Sequence, residues 1–225
     1  MDGFPETFDL ARIPAVWRPL FEDDLPWAVL ARLDAFFAAW SAQAAELAAG
    51  SVHPTAVVVG AVRLEAGARI GPHAHVVGPA WLMSGAEVGH GATVRGGVLL
   101  GPGAKVGHVS EVKRSVFLEG AKAPHFNYVG DSVLGHGANL GAGVKLANLK
   151  TTAGGVAMAG HATGLRKLGS FVGDGASIGC NAVLAPGTVI GAHSVVYAGA
   201  MVRGVVPARS VLKVRSVQDT APLRD

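Results

Sequence analysis

The stretch IGPHAHVVGPAWLMSGAEVGHGATVRGGVLLGPGAKV, residues 70–106, carries an aliphatic side chain at every sixth position. The beat runs through Val52, Val58, Leu64, Ile70, Val76, Leu82, Val88, Val94, Leu100, Val106, Val112 and Leu118. It resumes at Leu134, Leu140 and Leu146, and again at Val172, Ile178, Leu184, Ile190, Val196 and Val202. Glycines punctuate the units, as in VGHGAT and LGPGAK, and the fifth place usually holds Ala, Ser, Thr or Val. This pattern predicts a parallel β-helix, an all-β solenoid of hexapeptide repeats. Each short strand points one aliphatic inward and then turns a corner that only a small side chain can fill. Three hexads make one triangular coil. The pattern therefore predicts about seven coils and, at roughly 4.8 Å between strands, a prism about 34 Å long.

Composition agrees with a repeat architecture. Of 225 residues, 50% are hydrophobic but only 6% aromatic, and 32 are Gly, which means small aliphatics and frequent tight turns. The formal charge of +3 comes with no long basic run, so no nucleic-acid partner is expected. Cys180 is the single cysteine, which excludes an internal disulfide and fits a reducing compartment. No basic segment precedes an apolar stretch at the N-terminus, and no apolar run is long enough to span a bilayer. The sequence reads as a soluble, cytoplasmic protein without a membrane partner.

Residues 1–50 differ from the rest. Leu30, Leu33, Phe37 and Trp40 recur at helical spacing after Pro26, and Gly50 is a natural stop. They predict an α-helical N-terminal segment, with a second short helix around Leu10–Phe21. Trp17, Trp27 and Trp40 are expected to pack against a neighbouring surface. The β-helix is expected over 51–206, with a projecting loop at about 149–170 and a C-terminal tail, 207–225, packed on the last coil. Pro124–Val133 interrupts the beat and reads as an insertion of four residues.

That interruption lies in KRSVFLEGAKAPHFNYVGDSVLGHGANLGAGVKLAN, residues 113–148, which concentrates Lys113, His125, Tyr128, Asn139 and Asn148 among small apolar residues. His is the natural proton acceptor near neutral pH. Of the nine histidines, His125 sits within the break, between Pro124 and Asn127, and is the candidate base. His90 and His108 stand one coil apart and are expected to form a solvated stack. His73 and His75 are expected to face water. The His spacing supplies no third ligand to the 73/75 pair, so no metal is expected.

EVKRS (111–115), KAPHFNYVGDS (122–132), ANLGAGVKLAN (138–148), RKLGSFVGD (166–174) and LKVRSVQ (212–218) resemble one family. It is the acetyltransferase half of the bifunctional glucosamine-1-phosphate acetyltransferase/UDP-N-acetylglucosamine pyrophosphorylase, here in a stand-alone form. The resemblance covers roughly residues 58–218. It implies a left-handed parallel β-helix that assembles as a homotrimer, with acetyl-CoA as co-substrate and an amino-sugar 1-phosphate, most simply glucosamine 1-phosphate, as acceptor. His125 would be the general base. Arg95, Lys113 and Lys167 would hold the sugar phosphate, and Tyr128, Asn139 and Asn148 would order the sugar. Ala142, Cys180 and Ala198 would contact the acetyl-CoA arm, and Arg215 its charged end.

The chain departs from that family in several places. Cys180 stands where the family usually has Ser, Pro124 replaces Gly, and NLK with a long insertion replaces a short NYDG-type corner. The longer form resembles a branch of stand-alone or archaeal-type sugar-phosphate nucleotidyltransferase homologues. Residues 1–50 are too few for a nucleotide-binding domain, so pyrophosphorylase activity is not expected from this chain alone. Two other classes remain open: a non-catalytic β-helix binding or assembly subunit, and a metal-dependent hydratase of the gamma-class carbonic anhydrase type.

Overall fold

The computed structural model describes residues 6–22, 25–41, 50–215 and 220–222. From Ser51 onward the chain winds as the expected hexapeptide-repeat β-helix. Apart from the antiparallel hairpin Ala157–Met158/His161–Ala162, the strands pair in parallel from one coil to the next, which gives three sheets of nine, eight and eight strands. The nine-stranded sheet A runs from Ser51–Val52 to Val211–Leu212. Sheet B runs from Val57–Val59 to Met201–Val202, and sheet C from Val62–Leu64 to Val205–Val206.

The sheets make eight complete turns plus one further strand of sheet A, where the beat predicted about seven. Four strands outside the beat explain the difference, two between Leu118 and Leu134, where shortened steps shift the register, and two after Val202. The inward residue after Val112 is Phe117, not Leu118, because Phe117 pairs with Leu100 and lies in the axial core. After Val129 the next inward residue is Leu134, again only five positions on. Pro124–Val133 is therefore no insertion. Lys122–His125 and Tyr128–Gly130 are ordinary strands, with Ala123 and Val129 facing the axis. The solenoid also continues through Val205–Val206 and Val211–Leu212, so part of the segment after Pro207 completes the last turn.

The axis is filled by stacked aliphatics, with buried alanines such as Ala74, Ala92 and Ala104 inside the corners. Each fully buried aliphatic contributes about 1.5–3 kcal/mol through removal from water. Sheets A and B turn an exposed or half-exposed face outward. Sheet C does not: its outward column of Trp81, Leu99, Val116, Val133, Phe171 and Val189 forms a second apolar cluster.

The N-terminal segment covers that column. Two 3-10 helices, Leu10–Arg12 and Ala15–Leu20, lead to α1, Ala28–Ser41. Leu30, Leu33, Phe37 and Trp40 of α1 lie along its buried stripe. Trp40 stacks on Trp81 at 5.8 Å, and Trp17 meets Trp81 edge-on at 6.3 Å. Any continuation of the expected helix beyond Ser41 falls at 42–49, outside the described residues. No helix among the described residues is long and apolar enough to cross a membrane.

Candidate active site

Two of the three prism corners carry the predicted polar residues, and they are built differently. The corner from sheet A to sheet B is a regular ladder. Gly91, Val109, Phe126, Gly143, Asn181 and Gly199 each donate a backbone N–H to the carbonyl one coil below, at 2.8–3.1 Å. The accepting carbonyls belong to Pro72, His90, His108, His125, Ala142 and Cys180. His125, Ala142, Cys180 and Ala198 thus occupy consecutive rungs of one straight rail.

Three of these four rungs carry only small side chains, which leaves an open track beside His125. The imidazole of His125 is exposed, and its backbone N–H donates to Asn127 Oδ1 at 3.0 Å. Asn127 is buried and donates onward to Gly141 O at 2.7 Å, which fixes the corner around His125. Phe126 takes a left-handed φ of 52° and projects outward, with its ring 5.3 Å from that of His108. His90 and His108 form the expected stack, 5.0 Å between ring centroids, and His73 and His75 are exposed.

The corner from sheet B to sheet C is irregular. Both five-residue steps fall here, as does a four-residue step from Val202 to Val206, and Arg114 and Asp131 turn it with left-handed φ values of 45° and 46°. The Asp131 side chain is 1% exposed, yet its carboxylate faces Lys113 Nζ and an Arg114 guanidinium nitrogen, each at 3.5 Å. It also accepts a short hydrogen bond from Asn148 Nδ2. The Tyr128 hydroxyl donates to Asn148 Oδ1 at 3.4 Å. Burial, then the neighbouring carboxylates Glu111 and Asp131, push the Tyr128 phenol up from its ordinary value.

Gly130 makes the cluster possible. A Cβ there would lie 2.6 Å from Asn148 Nδ2 and 2.8 Å from the Tyr128 hydroxyl. Just outside, Arg95 pairs with Glu111 at 2.7 Å, and that contact raises the guanidinium pKa further.

The projecting loop starts and ends at this hub. Leu168 N–H donates to Asn148 O at 2.9 Å, and Gly169 N–H donates to Asp131 O at 2.7 Å. Lys167 is exposed and forms an antiparallel bridge with Leu149 at the loop's base. Beyond it the short hairpin Ala157–Met158/His161–Ala162 arches over a recess of about 610 Å³ lined in part by Lys150, Met201 and Arg203.

The prism thus brings Lys113, Tyr128 and Asn148 together, with Arg95 and Lys167 at the margin. It sets His125, Ala142, Cys180 and Ala198 along the adjoining corner. Asn139 lies apart from both groups, on sheet A between Lys122 and Ser177. Arg215 is exposed, three residues past the last strand. Asp131, Arg114 and Glu111 were not among the predicted residues. The signal for the first two was present: the beat slips at the very steps that contain them, and a charged residue stands where a left-handed corner favours Gly. Among the described residues, no group of three or more His, Cys, Asp or Glu side chains forms a metal cluster.

Comparison with known proteins places this architecture. Residues 169–204 match the bacterial transferase hexapeptide family model, described as six repeats. A bifunctional sugar-1-phosphate nucleotidylyltransferase/acetyltransferase of Sulfurisphaera tokodaii is 43% identical over 79 residues, 33% of this chain and 20% of that protein. The bifunctional protein GlmU of Methanococcus maripaludis is 36% identical over 78 residues, 33% of this chain and 19% of that protein. The chain therefore spans about a fifth of the length of these curated relatives. Among solved structures, the acetyltransferase domain of PglB from Neisseria gonorrhoeae, in complex with acetyl coenzyme A, is 17% identical. That alignment covers 79% of this chain and 60% of that one, at a TM-score of 0.35. The chain is a hexapeptide-repeat β-helix. It resembles the acetyltransferase part of the bifunctional sugar-1-phosphate nucleotidylyltransferase/acetyltransferases.

Proposed function

We propose that this chain transfers an acetyl group from acetyl-CoA to the amine of an amino-sugar 1-phosphate, most simply glucosamine 1-phosphate. The observation that carries the reading is the pairing of an open rail beside His125 with a polar hub one corner away. A pantetheine arm is long and thin and takes hydrogen bonds from backbone amides. The rungs Ala142, Cys180 and Ala198 offer such a track, and Arg215 at its far end suits a charged terminus. A sugar phosphate needs cations and neutral hydrogen-bonding groups, which Lys113, Arg95, Lys167, Tyr128 and Asn148 supply.

In this reading the acceptor amine attacks the thioester carbon while His125 Nδ1 or Nε2 takes the amine proton. The C–S bond breaks, CoA leaves as the thiolate and takes the proton from the His125 imidazolium, and a backbone N–H of the rail faces the developing oxyanion. No acyl-enzyme forms, so the Cys180 thiol is a neighbour of the track and not a nucleophile. Within one chain Asn139 lies apart from the hub, so in this reading it would serve the site only from a neighbouring prism of a homotrimer.

The test is thiol release from acetyl-CoA with glucosamine 1-phosphate, galactosamine 1-phosphate or no acceptor. Release that requires one of the two sugars supports the reading and names the acceptor. Silence with both contradicts it.

A further inference from the structure

We infer that Asp131 is the positioning residue of the acceptor pocket: its buried carboxylate orients Asn148 and Lys113 and, through Arg114, fastens them to helix α1. The inference rests on the assignment of Lys113, Tyr128 and Asn148 to the acceptor.

Burial of a carboxylate to 1% exposure is costly unless several donors replace the lost water. Asp131 has three: Lys113, Arg114 and Asn148. Their effect is directional. With Asn148 Nδ2 committed to Asp131, its Oδ1 can only face the Tyr128 hydroxyl, so one buried charge sets the orientation of two candidate sugar-binding groups. The same residue closes the projecting loop, because Asn148 and Gly169 are the loop's two ends and both bond to Asp131.

Arg114 carries the link outward. Its guanidinium reaches Asp131 on one side and Leu30 O at 2.9 Å and Asp34 Oδ2 at 3.1 Å on the other. Helix α1 is thereby a buttress of the acceptor pocket as well as the cover of sheet C.

Asp131→Asn preserves size and removes the charge. The expected result is an acceptor KM raised at least tenfold, with the acetyl-CoA KM within about twofold of the wild type. A merely structural role would lower activity through the folded fraction and leave both KM values alone. A second readout needs no substrate. The chain has two tyrosines, so in a Tyr197→Phe background the phenolate absorbance reports Tyr128 alone. Loss of the Asp131 charge moves that titration to lower pH.

The exchange Asp131→Asn with Asn148→Asp restores one hydrogen bond across the same gap and returns the acceptor KM towards wild type. If Asp131→Asn does not fold, Arg114→Lys takes its place. It keeps a cation but cannot span Asp131 and α1 together, and a smaller rise in acceptor KM is expected. An unmoved Tyr128 titration, or an unmoved acceptor KM in a folded variant, overturns the inference. Wild-type protein that transfers no acetyl group would instead refute the proposed reaction, and the Tyr128 titration alone would then decide the role of Asp131.

Discussion

The two polar corners of the prism solve opposite problems. The sheet A–B corner keeps the six-residue step through His125, Ala142, Cys180 and Ala198, and its regularity comes from backbone hydrogen bonds that recur coil after coil. The sheet B–C corner loses a residue at Arg114 and at Asp131, shortens again between Val202 and Val206, and at Asp131 buries charge where its neighbours bury alkyl groups. Repetition suits a linear ligand, because a long thin molecule can follow identical rungs. A compact polar ligand needs unlike groups at one point, and that requires the repeat to break.

The division can be broken or sharpened by substitution. The largest effect is expected for His125→Ala on the rail. Removal of a general base lowers the acetyl-transfer rate by about 10²–10⁴-fold, while circular dichroism and thermal melting stay near wild type. A rate within a few-fold of wild type would remove His125 from the mechanism. In the hub, Lys113→Ala takes a charged hydrogen bond from the phosphate, about 1.5–3 kcal/mol, so the acceptor KM should rise roughly 10–100-fold with kcat less affected.

Gly130→Ala is a subtler test of the hub. The new Cβ must displace Asn148 and Tyr128, so the acceptor KM and the melting temperature should both change, with a loss of about 1–3 kcal/mol in stability. Cys180→Ala should be close to silent, with transfer within about twofold. A large loss of rate there, with an acylated protein trapped by mass spectrometry in the wild type, would require a covalent step.

The third corner serves as a control. His136 is buried beneath residues 6–12 beside Asp174 and Glu119, and burial holds its pKa below the ordinary imidazole value. Its folded-state pKa lies below its unfolded one, so the unfolded chain takes up the proton first. Stability should therefore fall as pH drops below about 6.5, the unfolded value, and His136→Asn should flatten that dependence in thermal melts. The KM values at neutral pH should not move.

The axial beat was legible because every coil repeats the same demand for one aliphatic and one small residue. The N-terminal helix was legible for a similar reason, since Leu30, Leu33, Phe37 and Trp40 obey a single period. The coil count was not, because Leu118 and Phe117 are both apolar and adjacent. Only the pairing of Phe117 with Leu100 tells which one faces inward. The hub was half legible. Lys113, Tyr128 and Asn148 stood out as polar residues in an apolar text. Asp131 did not, because its role depends on Arg114 and Asn148, each 17 residues away along the chain.

The most direct test of the division between the corners is one set of steady-state measurements on Ala198→Leu and Lys113→Ala, with both substrates varied. Ala198→Leu raises a bulky side chain on the rail, and Lys113→Ala empties the hub of a cation. Ala198→Leu should raise the KM for acetyl-CoA alone, and Lys113→Ala the KM for the sugar phosphate alone. If either variant shifts the other substrate's KM, or both move together, the division of labour between the corners is wrong.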